Sequence, residues 1–369
     1  MHPRERFLNV LRGELPDRVP LRLLALEFQR WEDVMSLSDD RGRAIAERIF
    51  HDSLGVVGIP SYQNRYLMIP PEYIREVERI EKNGSVHVHT EIPTPKGVLH
   101  ARTVRNPISR TVWTVQYPVN SLDDIEKIRS IPWTLPEQLT PVRPETLPDD
   151  AEKRLIVLTH VSSPFVCVAG MMPYQYFLEL CATEQALIEE LTALCQERIL
   201  SVLDVLLSRP GIDVVWMGGC EWLTPPMGSP ELYEKLVQGP EQAVIARIHE
   251  GGALAHVHCH GNVRSTLKRV IARGADYFEP VEPPPDGDIS FAEAKEIAAG
   301  RMTLGGNIEI RLVYHGDVDE VERAVQAAFE GGKERMVLQT TEGPISIVDE
   351  RMFKNYMRII DLWEAWSLL

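Results

Sequence analysis

An alternation of apolar, strand-like runs with amphipathic, helix-like runs dominates the chain from about residue 152 onward. Six apolar runs occur there, each near a helical pattern: RLIVLTHVSS, IDVVWMGGC, GALAHVHCHGN, GADYFEPVE, RMTLGGNIE and ERMVLQTTEG. Strands that are apolar along most of their length and alternate with helices are typical of a parallel sheet covered by helices. Two earlier runs, RVPLRLLAL and SLGVVGIP, bring the number to eight, which predicts an α/β fold of the (β/α)8 TIM-barrel type.

The first part of the chain carries patterns beyond those a barrel needs. Alternating runs on either side of a Thr-Pro-Lys-Gly turn, in SVHVHTEIPTPKGVLHARTV, predict a β-hairpin. The Pro-rich passage IPWTLPEQLTPVRPETLPDD predicts a long surface connection. We therefore expect one domain over residues 1–369, with a helical and β-hairpin elaboration in roughly residues 1–150.

Composition narrows the class of protein. The formal net charge of −15 argues against a nucleic-acid-binding surface. The polar, helix-forming N-terminus differs from a signal peptide, and no apolar run has membrane-spanning length. Five cysteines without a CxxC motif or paired spacing fit a reducing compartment, so a cytoplasmic protein that binds neither nucleic acid nor membrane is expected.

Polar residues gather where the predicted strands end. In (β/α)8 barrels, the carboxyl ends of the strands form the active-site face, so side chains at these positions are expected to meet. The residues concerned are His160, Glu221, His258, His260, Glu279, Glu282, Asn307 and Glu342.

The stretch GGALAHVHCHGN at residues 251–262 holds three histidines and a cysteine within five residues. On a strand, His256, His258 and His260 point to one face and Cys259 to the other. Such histidines are either metal ligands or hydrogen-bonded members of a buried polar layer, and their place at a strand end favours a metal. The similar HVH triplet that ends at His89 lies in the predicted hairpin, and we assign it no function.

The order HCHGN, LGGNIE and VLQTTEGP resembles the uroporphyrinogen decarboxylase superfamily, specifically its zinc-dependent, cobalamin-linked methyltransferase branch. The similarity extends to RFLNVLRGELPDRVPL and GSPELYEKLV and so covers most of the chain. The family pattern is His-x-Cys-Gly-Asn, then Gly-Asn-Ile/Val before a helix, then a late strand that ends in Gly-Cys-Gly.

The resemblance implies a zinc site of His258, His260 and Glu342 with an open position for substrate. The last two stand where the family normally has cysteine. His256 is then expected to be structural and Cys259 a small core residue. Two further acids, Glu279 and Glu282, are alternative sources of a fourth ligand in the absence of substrate.

The ligand change has a chemical consequence. Two neutral imidazoles and one carboxylate leave a net charge of about +1 on zinc, which makes it a harder Lewis acid suited to an oxygen donor. The resemblance thus implies transfer of a methyl group from a methoxylated, aromatic substrate to a cobalt(I) corrinoid. Because the Asp-x-His-x-x-Gly corrinoid-binding motif is absent from the sequence, the cobalamin is expected on a separate corrinoid-binding protein.

Three further residues are predicted to be catalytic. Glu221 could bind or protonate the leaving oxygen, although a surface glutamate is equally compatible with its position. Asn307 is expected to hold backbone or substrate, and His160 either hydrogen-bonds substrate or is structural.

Other functions remain open at this stage. One alternative is a related methyltransferase for a thiol or amine, or a decarboxylase-like lyase. The lyase fits less well because RLLALEFQRW lacks the arginines that grip substrate carboxylates in the decarboxylase branch. Another alternative is a non-catalytic, metal-stabilised barrel that binds a corrinoid protein or a small ligand.

Overall fold

Eight parallel strands form the central sheet of the computed structural model, which describes residues 1–107, 111–135, 150–208, 210–344 and 346–369. The eight strands lie in the order β1-β12-β11-β10-β9-β8-β7-β2. Their bounds are β1 Leu21–Arg22, β2 Gly55–Ile59, β7 Leu155–Ser162, β8 Val214–Gly218, β9 Leu254–His258, β10 Tyr277–Glu279, β11 Thr303–Ile308 and β12 Met336–Thr340. Each strand coincides with one of the predicted apolar runs, so the predicted α/β barrel is confirmed.

Helices alternate along the chain with most strands of this sheet. Their bounds are α1 Pro3–Arg12, α2 Trp31–Met35, α3 Asp40–Ile49, α4 Leu122–Arg129, α5 Ala151–Arg154, α6 Val166–Ala169, α7 Tyr174–Thr183, α8 Gln185–Leu206, α9 Pro230–Tyr233, α10 Gly239–Glu250, α11 Leu267–Ala272, α12 Phe291–Ala298, α13 Ile310–His315, α14 Val318–Glu330 and α15 Glu350–Trp366. None of the described helices combines the length and the apolar character that crossing a bilayer requires.

The sheet curls into a half-barrel whose seam lies between β1 and β2. Ladder hydrogen bonds join each strand to the next in the order above, but within the described residues none joins β1 to β2. The segment after β1 spans this seam, because the Gln29 side chain donates to the Val56 carbonyl at 2.8 Å. Arg154 donates to the carbonyls of Phe28 and Gln29 and holds the same segment in place.

The first helix closes the amino end of the barrel. Phe7 and Leu11 of α1 belong to an apolar cluster with strand residues that face the barrel interior, such as Val214 and Val337. The Phe7 ring meets the Tyr277 ring edge-on, with centroids 5.7 Å apart. Burial of these apolar side chains against the strands fixes α1 across the opening.

A four-stranded antiparallel sheet is inserted between β2 and β7. Its strands are β3 Arg75–Lys82, β4 Ser85–Thr94, β5 Gly97–Arg105 and β6 Val112–Gln116. The β4–β5 ladder runs to the pair Thr94 and Gly97, which confirms the hairpin predicted around the Thr-Pro-Lys-Gly turn. Within the predicted Pro-rich connection, residues 136–149 lie outside the described residues.

Candidate metal centre

Two histidines of the His-x-His motif lie at the mouth of the barrel. His258 is the last residue of β9, and the parallel ladders place it beside Gly218 of β8 and Glu279 of β10. His260 follows two residues later, and the two imidazole rings stand nearly perpendicular with centroids 4.6 Å apart. Polar side chains at the ends of neighbouring strands therefore meet here, as the sequence predicted.

Each of these imidazoles is backed by a carboxylate. His258 donates from Nδ1 to Glu279 Oε1 at 2.8 Å, and His260 donates from Nδ1 to Glu282 Oε1 at 2.9 Å. Metal-binding histidines commonly give one ring N–H to a carboxylate, which fixes the tautomer and makes the other nitrogen a better ligand. The arrangement leaves the Nε2 atoms of both rings for a metal.

Glu279 is the centre of a buried hydrogen-bond network below the histidines. Its carboxylate accepts from His256 Nε2 at 2.8 Å and from Gln339 Nε2 at 2.8 Å, in addition to His258. Burial alone would raise the pKa of Glu279, but the neighbouring charge of His258 and the hydrogen bonds from both histidines hold it well below its usual value. Glu279 therefore stays ionised and orients His258, and His256 occupies the structural place that was predicted for it.

Glu282 orients the His260 ring as Glu279 orients that of His258. Its second oxygen accepts from the Gly261 backbone N–H at 2.6 Å, so both carboxylate oxygens are engaged by the segment that carries the histidine. Burial lowers the pKa of His260, but the hydrogen bond to Glu282, with the charges of nearby acids, outweighs it and raises the value to about 9.

The predicted third ligand is not gathered with the histidines. Glu342 is exposed and lies just beyond β12, three strands away from β9 in the sheet order. Among the described residues, two groups place three potential ligand atoms within 4.8 Å of one another, and neither includes Glu342, His258 or His260. The group beside the barrel mouth is Cys220, Glu221 and Cys259. The role of Glu342 as a ligand stays a prediction.

Glu221 is a third carboxylate near the imidazoles. It lies in a short 3-10 turn after β8, and its carboxylate accepts from the Gly219 N–H at 3.1 Å. Burial raises the pKa of Glu221, and the charges of His258 and His260 act on it in the opposite direction. The structure thus brings this predicted residue to the site. Cys259 is fully buried, in agreement with its predicted place in the core.

The other two predicted residues also lie on the carboxyl half of the barrel. The ladders pair His160 with Trp216 and Trp216 with His256, so these three side chains project to one face of the sheet. Asn307 is buried with a φ of 84° and has no hydrogen-bond partner for its Oδ1. A strained, unsatisfied polar residue at a strand end is the kind of group that binding of a ligand completes.

Sequence reasoning missed Glu309. This residue follows β11, is 5 % exposed and leaves its Oε1 without a hydrogen-bond partner. Burial, helped by the negative charges of Glu282 and Asp286, raises its pKa to about 7. Its position at the end of LGGNIE was the available signal, but the pattern does not show that the side chain is buried.

The two imidazoles fit a zinc ion, but the described residues do not bring a third ligand atom together with them. Two imidazole nitrogens on carboxylate-backed rings are suitable zinc ligands, and carboxylates on neighbouring loops supply candidates for the third. The Trp216 ring, with its centroid 5.0 Å from that of His258, adds an aromatic wall to the mouth.

The fold and the site together define a (β/α)8-type barrel protein with a histidine- and carboxylate-lined mouth. The chain belongs to the uroporphyrinogen decarboxylase (URO-D) family, whose sequence profile matches residues 109–343. No curated protein matches it in sequence.

Solved structures resemble the chain to different degrees. A methyltransferase from Methanosarcina mazei superposes with a TM-score of 0.61 at 15% identity, covering 99% of both chains. A B12-independent methionine synthase from Shewanella sp. W3-18-1, in complex with selenomethionine, has a TM-score of 0.42 at 10% identity over 79% of this chain and 75% of its own. The 3-keto-D-glucoside 4-epimerase from E. coli has a TM-score of 0.36 at 10% identity over 58% of this chain and 81% of its own. At 15% identity, the likeness to the Methanosarcina mazei methyltransferase concerns the fold alone.

Proposed function

We propose that the protein is a zinc-dependent methyltransferase, which moves a methyl group from a methoxylated aromatic substrate to the cobalt(I) corrinoid of a partner protein. The observation that carries this proposal is the pair His258 and His260, each with its Nδ1 hydrogen-bonded to a buried glutamate at the barrel mouth. Membership of the uroporphyrinogen decarboxylase family supports the use of this mouth as an active site.

In this proposal His258 and His260 bind zinc through Nε2, and Glu342 supplies the third protein ligand. A bound zinc ion with this ligand set would polarise an ether oxygen as a Lewis acid. Glu221 is the alternative third ligand, because it already lies within the electrostatic influence of both imidazoles.

The remaining polar side chains handle the substrate. Asn307, with its free Oδ1, would accept a hydrogen bond from the substrate, and His160 would face it from the opposite side of the mouth. Trp216 would pack against the aromatic ring. If it is not a ligand, Glu221 would give a proton to the departing oxygen.

The group transfer balances without an added oxidant or reductant. The bond between oxygen and methyl carbon breaks, and its electron pair stays on oxygen as a phenolate. The partner's cobalt(I) corrinoid would accept the methyl group and supply both electrons of the new bond to carbon, and the phenolate would take up a proton to give a free phenol.

A decarboxylase-like lyase is disfavoured by Arg22. This buried arginine forms a two-point ion pair with Glu27, at 3.0 and 2.9 Å, and is therefore not free to grip a substrate carboxylate. Substrates that carry many carboxylates would need another cation at the mouth.

The activity test is formation of methylcobalamin, followed by visible absorbance. The protein is supplied with a reduced corrinoid on its carrier and with a panel of methoxybenzenes, simple thiols and methylamines. We expect turnover of aryl ethers. Turnover of thiols or amines alone would refute the oxygen-donor assignment, and loss of carboxylate from a porphyrinogen would favour the lyase.

Metal analysis of variants tests the site itself. His258→Ala should lose about one zinc ion per chain, whereas His256→Ala should keep it, since His256 lies one strand repeat deeper. Comparing Glu342→Ala with Glu221→Ala identifies the third ligand. Undiminished zinc in His258→Ala would remove the proposed site.

Ligand hardness is tested by replacing two ligands. His260→Cys combined with Glu342→Cys should retain zinc but depress ether demethylation, because two thiolates make the metal a poorer Lewis acid. Unchanged activity in this variant would contradict the reasoning from hardness.

A further inference from the structure

A second group of metal-type ligands lies on the inserted antiparallel sheet, away from the barrel mouth. The β4–β5 ladder pairs Glu91 with His100 and His89 with Arg102. Because residues paired across a ladder share a face and residues two apart on a strand do as well, His89, Glu91 and His100 lie on one face. The other face packs on the protein body, since Ile92 and Leu99 are buried.

The ligand atoms of this group are already close together. His89 Nε2 lies 3.2 Å from His100 Nδ1, and His100 Nδ1 lies 3.8 Å from Glu91 Oε1. All three residues place a ligand atom within 4.8 Å of one another. Two nitrogens bound tetrahedrally to zinc at about 2.0–2.1 Å are about 3.3–3.4 Å apart, so the two imidazoles are spaced for one metal ion.

We propose that His89, Glu91 and His100 form a second divalent-metal site that binds zinc or a similar transition metal. The metal would take the place of the hydrogen bond between His89 Nε2 and His100 Nδ1. Nitrogen ligands favour zinc, copper and nickel over magnesium and calcium.

The surroundings permit such a site. His89 and Glu91 are half-buried and His100 is exposed, so a metal can enter from solvent and keep a position open to water or to another ligand. The ladders place Glu78 and Arg102 on either side of His89, so one further acid offsets one guanidinium. The ligands come from two adjacent strands of a continuous ladder, and a bound metal would fasten β4 to β5.

The experiment counts zinc by elemental analysis in variants that separate the two sites. The background is His258→Ala with His260→Ala, which removes the barrel histidines. We expect about one zinc ion per chain in this background. Adding His100→Ala should abolish it, whereas adding His87→Ala should not, because exposed His87 shares the face of β4 but is outside the group.

Thermal unfolding with and without added zinc provides a second measurement. Zinc should raise the melting temperature of the background protein and of its His87→Ala form, but not of its His100→Ala form. The proposal is overturned if the background binds no zinc, or if His100→Ala leaves its zinc and its melting shift intact. Failure of the barrel site has a different signature: wild-type protein would then hold zinc that His258→Ala spares and His100→Ala removes.

Discussion

Glu282→Gln tests whether the carboxylate behind His260 matters for metal binding. Glu282 is buried, and its two oxygens accept from His260 Nδ1 at 2.9 Å and from Gly261 N at 2.6 Å. Glutamine preserves the shape of the side chain but removes the charge and one of the two acceptors. The His260 ring then loses the anion that makes its Nε2 a stronger ligand and loses part of its orientation.

The expected cost follows from the number of bonds affected. Loss of a partner behind a metal-binding histidine typically weakens metal affinity about 10–100-fold. This corresponds to about 1.4–2.7 kcal/mol, which is the size of one charge-assisted hydrogen bond at about 1.5–3 kcal/mol. We therefore expect zinc dissociation constants to rise by this factor, with the fold retained.

The assay is competition for zinc with a chelator of known affinity, in a His100→Ala background so that the hairpin group does not contribute. Glu296→Gln is the matched control, because Glu296 is exposed on helix α12. An unchanged affinity in Glu282→Gln would refute the orienting role. A loss as complete as that in His260→Ala would mean instead that Glu282 is itself a ligand.

Three further predictions concern stability. Phe7→Ala should lower the free energy of unfolding by about 3–5 kcal/mol in urea titrations, because it opens a cavity against Tyr277. A loss of unfolding free energy as small as that of a substitution at an exposed position would contradict the closing role of α1. The hydrogen bond to Asp276 raises the pKa of His249. The protonated pair therefore stabilises the fold fully below the unfolded pKa of His249, about 6.5. This stabilisation is lost as the pH rises through the folded pKa. Between about pH 5.5 and about pH 9, the melting temperature of His249→Ala should therefore fall less than that of the wild-type protein. An equal fall in the variant and the wild type would contradict the stabilising role of the His249–Asp276 pair. Ala299 has a φ of 48° at the end of α12. Ala299→Gly should therefore raise stability by up to about 1 kcal/mol, and a decrease would show that the left-handed geometry costs nothing there.

The sequence was sufficient to predict the barrel because its strands are apolar for a physical reason. A parallel strand is covered on both faces, so it is apolar along most of its length. Runs such as RLIVLTHVSS and ERMVLQTTEG can therefore be predicted as strands from their own residues alone. The short β1 was found for the same reason, although the structure gives it only Leu21–Arg22. The strand ends can be located in the same way, so the sequence predicts that His258 and His260 lie at the carboxyl end of β9.

What the sequence did not show depends on contacts between distant segments. The pairing of His258 with Glu279 and of His260 with Glu282 needs the register of β9 against β10 and the course of the following loop. The placement of Glu342 depends on a loop conformation that no periodicity describes. The sequence alone does not bring His89 and His100 together, because the two meet only through the β4–β5 register.

Helix α1 leaves the barrel mouth accessible from one side. Since it closes the amino end, anything that reacts beside His258 must arrive and depart through the carboxyl end. A small molecule and a protein-borne reactant would then have to use one passage in sequence. In the proposed methyl transfer, the small substrate would enter first, the corrinoid protein would cover it, and the product could leave only after that protein had withdrawn. The proposed function therefore predicts an ordered steady-state pattern and inhibition by excess of the corrinoid protein.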